Sequence, residues 1–135
     1  MQRTTVPSIA VVDRDPTNCL LLREICQTGG WNVAGCAHDV QEGAALLART
    51  RPDCLITDYK FEGHATGLDL LARVKPLLPE LFTVMLTGWD INDVAAHVTA
   101  HQPDRILRKP VPPHALMNLL EGVYGRVEVI RINAV

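Results

Sequence analysis

No apolar stretch in this chain approaches the roughly 18 residues of a membrane span, and the opening MQRTTVPS carries no apolar signal core. Both absences lead to the expectation of a cytoplasmic protein that does not enter a membrane. There is no basic run either: 13 Lys and Arg against 15 Asp and Glu leave a formal charge of −2, so nucleic acid is a poor direct partner. The four cysteines, Cys19, Cys26, Cys36 and Cys54, form no C-x-x-C pair and no zinc-ligand spacing. A metal ribbon and a redox motif are therefore not indicated, and the thiols read as small buried hydrophobes. No internal repeat or low-complexity tract interrupts the chain.

What is present is the composition of one ordinary domain. The 135 residues are 47% apolar and 21% charged, enough to bury a single core and too few for two domains of usual size. Short apolar runs alternate with segments of helical period. Ser8 to Val12, Trp31 to Ala37, Cys54 to Thr57, Leu81 to Leu86 and Arg105 to Arg108 read as five strands. Between and after them lie five helical stripes. They are Leu21, Leu22, Ile25 and Cys26; Val40, Ala44, Leu47 and Ala48; a helix around Leu68 to Lys75; Ile91, Val94, Ala95 and Val98; and Leu116, Leu119, Leu120 and Val123. Asp15 before Pro16 is an N-cap followed by a proline at the first helical position. Gly29-Gly30 ends that helix, and Pro76 and Pro79 end the third. Five βα units in succession predict a parallel sheet covered on both faces, with right-handed crossovers.

In such a sheet, ligands bind beyond the carboxyl ends of the strands. Asp13, Arg14 and Asp15 follow the first strand, Asp58 the third, Thr87 the fourth and Lys109 the fifth. Carboxylate, hydroxyl and ammonium on one rim are the groups needed to hold a phosphoryl group on an aspartate. The carboxylate attacks phosphorus, the hydroxyl bonds an equatorial oxygen and the lysine neutralises charge.

The pieces VVDRDP, ITDYKFEGHATGLDLL, MLTG and RKPV, each after its own strand, together resemble a response-regulator receiver domain of two-component signalling. The resemblance covers residues 1–124 and leaves 125–135 as a tail. It implies a flavodoxin-like (βα)5 sandwich with strand order 2-1-3-4-5, an order for which this receiver fold is a standing example. It further implies that Asp58 is the phosphoacceptor, Thr87 the switch hydroxyl and Lys109 the phosphoryl contact. A magnesium ion would be held by Asp13, Asp58 and the Lys60 backbone carbonyl. The Lys109-Pro110 bond is expected to be cis, a geometry open to proline. The implied donor is a histidine kinase or phosphotransfer protein. The implied dimer face is the fourth helix, fifth strand and fifth helix. A receiver is a signalling domain whose only catalysis is its own phosphorylation.

Several positions depart from the family pattern. Arg14 stands where a second acid is usual, and Asp15 is better placed to cap the helix than to ligate metal. Arg14 either weakens magnesium binding, replaces the ion by pairing with Asp58, or points to solvent. Ile106 occupies the slot where many receivers carry a switch Tyr or Phe. Trp89, two residues after Thr87, either shields the site or is a simple exposed aromatic. The loop from Asp58 to Gly67 lacks the usual proline and is one residue longer.

The leading expectation is a working but weakened phosphoacceptor, and the main rival is a pseudo-receiver that acts through its surface without phosphorylation. Asp13 to Thr17 also fits the D-x-D-x-T pattern of haloacid-dehalogenase-type phosphatases, but no aspartate follows Lys109 to complete such a site. His97 and His101, four residues apart, lack a third metal ligand. Val127, Val129, Ile130 and Ile132 make the tail too apolar for a plain linker, and an extended segment that packs on the domain or pairs with another chain is expected there.

Overall fold

The structure is a computed structural model that describes residues 6–97 and 101–125, apart from the side chain of Asp93. Residues 126–135 of the tail and Val98 lie outside the described residues. In chain order the elements are β1 (Ser8–Val12), α1 (Pro16–Thr28), β2 (Asn32–Ala37), α2 (Val40–Thr50), β3 (Cys54–Asp58), α3 (Gly67–Val74), β4 (Phe82–Thr87), α4 (Ile91–Ala95), β5 (Arg105–Arg108) and α5 (Pro113–Tyr124). All four strand pairings are parallel, in the order β2-β1-β3-β4-β5. This is the expected flavodoxin-like topology.

Strand residues alternate between two cores, as the two-residue period of a pleated strand requires. Ile9, Val11, Cys54, Ile56, Val84 and Leu86 face one cluster, closed by Cys19, Leu22 and Cys26 of α1 and Leu116 and Leu120 of α5. Ala10, Val12, Leu55 and Met85 face the other, closed by Leu46 and Leu47 of α2, Leu70, Leu71 and Val74 of α3 and Val94 of α4. Every residue of β3 is buried. A fully buried Leu or Ile contributes roughly 1.5–3 kcal/mol, so the central strand is the most firmly held support in the fold.

Helix starts follow their capping residues. Asp15 accepts the Thr17 N–H at 2.9 Å, Asp39 the Glu42 N–H at 2.7 Å and Asp90 the Asn92 N–H at 2.8 Å. Thr66 and Asp69 form a reciprocal capping box at α3. Some of the expected stripes are rotated. Leu21 is 55% exposed, and the buried line of α1 is Cys19, Leu22 and Cys26. On α2 the buried line is Gly43, Leu46 and Leu47, leaving Ala48 exposed. In both cases the helix has turned by about one residue to seat its closest-packed side on the sheet. Trp31 and Leu81 are buried just ahead of their strands, which begin one residue later than expected.

Three cysteines are buried and Cys36 is half-buried. Burial pushes the Cys19 and Cys26 thiols up to about 12 and raises those of Cys36 and Cys54 as well. They stay protonated at neutral pH and behave as packing groups.

Candidate functional site

The sheet register brings the strand-end residues to one edge. Asp58 is the Cα partner of Leu86, one residue before Thr87, and Thr87 is opposite Arg108, one before Lys109. On the other side, the Asp13 N–H donates to the Ala37 carbonyl at 3.0 Å and prolongs the β1–β2 ladder. Asp13, Asp58, Thr87 and Lys109 therefore share one cleft, of about 220 Å³, whose wall also includes Arg14, Lys60 and Trp89.

Asp13 is 1% and Asp58 7% exposed. Lys109 Nζ lies 3.4 Å from Asp13 Oδ2 and 3.1 Å from Asp58 Oδ1, joining the two carboxylates. Its own N–H donates to the Thr87 carbonyl at 2.7 Å, and the Lys109-Pro110 bond is cis. Asp13 Oδ1 accepts the Asp15 N–H at 2.9 Å, so both Asp13 oxygens face donors. Burial raises the Asp58 carboxyl above its usual range and the Asp13 charge adds to this, while Lys109 opposes it. Thr87 is fully buried; its Oγ1 accepts the Trp89 N–H at 2.9 Å. The hydroxyl proton of Thr87 has no acceptor among the described residues.

The loop after Asp58 is held tightly. Lys60 bridges to Thr66, the Phe61 N–H donates to the Ala65 carbonyl at 3.1 Å, and Gly63 takes a φ of 72°. Gly67 must be glycine for a steric reason: a Cβ there would meet the Asp58 carbonyl oxygen at 2.5 Å and Met85 Cε at 2.8 Å. This close approach sets α3 against the end of β3 and fixes the strand that presents Asp58.

Arg14 is exposed on the cleft wall and forms no ion pair with Asp58; Asp58 is held by Lys109 instead. Asp15 turns to the α1 N-terminus, leaving Asp13 and Asp58 as the only acids among the described residues whose side chains meet at the centre of the cleft. Among the described residues no group of three His, Cys, Asp or Glu is placed to hold a metal ion, His97 and His101 included. A magnesium ion would have to enter between two carboxylates already joined by Lys109, in a cleft whose wall includes Arg14. The centre of the cleft thus offers a divalent cation two carboxylates that already share a lysine, one acid fewer than the family pattern.

Trp89 is 53% exposed, yet it forms part of the wall, with the Lys60 ammonium 4.7 Å from its ring centroid. The side chain of Lys60 thus has a place at the site that the sequence motif, which singled out only its carbonyl, did not reveal. Ile106 is half-buried against the cluster that holds Met85 and Val94. Two further residues border the site without a motif to signal them. Asn18 lines the cleft, and a ring nitrogen of His38 lies 3.1 Å from the Asp13 carbonyl.

Residues 9–121 match the response regulator receiver domain. The chain belongs to that family. It is similar to the transcriptional regulatory protein TrcR of Mycobacterium tuberculosis, 29% identical over 119 residues, which are 87% of this chain and 45% of that protein. It is also similar to a protein-glutamate methylesterase/protein-glutamine glutaminase of Hahella chejuensis, 27% identical over 104 residues, 77% of this chain and 30% of that one. The chain spans less than half the length of either relative. Among solved structures, a response regulator receiver domain protein of Clostridium thermocellum superposes with a TM-score of 0.78 at 25% identity, covering 88% of this chain and 94% of the other.

Proposed function

We propose that Asp58 accepts a phosphoryl group from a phosphohistidine of a sensor histidine kinase or phosphotransfer protein, and that the resulting acyl phosphate signals through the β4–α4 segment. The observation that carries this reading is the placement of Asp58. It ends the most buried strand, with Lys109 Nζ 3.1 Å from one of its oxygens and Thr87 in the same cleft. Asp58 Oδ2, the oxygen opposite the one facing Lys109, attacks phosphorus. As the new O–P bond forms, the P–N bond to the donor breaks, and its electron pair leaves on nitrogen, which is protonated from solvent. Lys109 neutralises the growing charge, and the unengaged Thr87 proton is donated to a phosphoryl oxygen. Asp13 is the more enclosed of the two carboxylates, and both its oxygens face donors.

Thr87 reaches the rest of the molecule through its bond to the Trp89 N–H, one residue before Asp90, the N-cap of α4. A shift of Thr87 toward the phosphoryl group pulls on that turn and biases α4. Ile106 supplies no ring to move with it, so the signal stays with this turn and with Trp89. The face made by α4, β5 and α5 is the expected surface for a second copy or a downstream partner.

The test is intact-mass measurement after incubation with a phosphoramidate, comparing wild type with Asp58→Ala. A single phosphoryl adduct on wild type and none on the variant is the expected result. An adduct that persists in Asp58→Ala overturns the assignment.

A further inference from the structure

We propose that the Asp58 cleft works without a divalent cation, the Arg14 guanidinium taking the phosphoryl oxygens that a metal ion would otherwise hold. This rests on Asp58 being the phosphoacceptor. The cleft is lined by three acids, Asp13, Asp15 and Asp58, and by three bases, Arg14, Lys60 and Lys109, so its formal charges balance. An acid at position 14 would make it more negative by two units, the charge of one divalent ion. Arg14 thus changes the charge balance of the cleft by as much as a bound metal would.

The carboxylates are also committed. Asp15 caps α1, Asp13 accepts the Asp15 N–H and faces Lys109, and Asp58 faces the same lysine. A dication would have to displace Lys109 from both buried acids and share the cleft with the Arg14 charge. The bases differ in what they hold. Lys109 is paired with both acids and Lys60 lies over Trp89, whereas Arg14 makes no hydrogen bond or ion pair among the described residues. Arg14 is therefore the cation left for an incoming anion, and its planar fork matches two phosphoryl oxygens.

The test measures phosphorylation by a phosphoramidate in excess EDTA and in excess Mg²⁺, for wild type, Arg14→Ala and Arg14→Asp, together with the melting midpoint of each protein with and without Mg²⁺. Position 14 is exposed, so both variants should keep the fold. Wild type is expected to be phosphorylated equally in EDTA and Mg²⁺, and its midpoint should not respond to Mg²⁺. Arg14→Ala should lose at least about tenfold in rate in EDTA. Arg14→Asp should become Mg²⁺-dependent and gain a Mg²⁺-induced rise in midpoint. If wild type is phosphorylated only with Mg²⁺, or its midpoint rises with Mg²⁺, the inference fails while Asp58 stands as phosphoacceptor. An unchanged rate in Arg14→Ala also overturns it. No phosphate on folded wild type in either condition overturns both readings.

Discussion

Asp58 weakens the fold that presents it. Its carboxyl is buried at the end of β3, and burial raises its pKa above the ordinary 3.8. The native state therefore holds the proton more tightly than the unfolded chain, and the stability contribution of this group falls as pH rises through and above that value. Asp58→Asn should stabilise the protein at pH 7 by about 1 kcal/mol, roughly 4 °C in midpoint, while abolishing phosphorylation. Thermal melts at several pH values check this. The gain should shrink toward zero below pH 3.8, where wild type also carries the proton in both states. Asp13, Asp58, Thr87 and Lys109 were legible in the sequence because each directly follows an expected strand, and a parallel sheet gathers such positions at one edge. The seat of Lys60 over Trp89 and the unpaired state of Arg14 were not legible, since they depend on side-chain direction at a rim.

Among the elements, β5 depends on an interaction far from the site. Asp104 Oδ2 accepts the Thr83 N–H at 2.8 Å and the Thr83 hydroxyl at 3.1 Å, and the Asp104 N–H donates back to Thr83 Oγ1 at 3.0 Å. Thr83 is fully buried, so Asp104→Ala leaves buried donors unsatisfied and should cost about 2 kcal/mol. Urea unfolding measures it, and Asp104→Asn should recover much of the loss. The buried thiols make a second prediction at this scale. Cys19, Cys26 and Cys54 should resist a maleimide in the folded protein at pH 7 and react promptly once urea unfolds it. Fast labelling of any of these three in the native protein would contradict their packing role. The alternation of strands and helices along the chain was legible from periodicity, whereas the strand order within the sheet came from the family resemblance. The rotation of α1 and α2 by one residue was not, because several apolar residues border each stripe and only the fit against the sheet decides which are buried.

Across the whole molecule, the two cores clamp a five-stranded sheet whose central strand ends in the proposed phosphoacceptor, and the receiver family membership agrees with that architecture. The sequence motifs were specific in combination, because four short segments had to follow four different strands in the right order. What they did not convey is the electrostatic balance of the cleft, which needs the three acids and three bases lining it to be located together in space. In the proposed reading, this arrangement makes Asp58 the acceptor. The most direct measurement is borohydride reduction of the phosphoramidate-treated protein followed by peptide mass mapping, since reduction converts an aspartyl phosphate to homoserine at the position that carried it. Homoserine at position 58 alone is the result this account predicts; homoserine at position 13, or at no position, would contradict it.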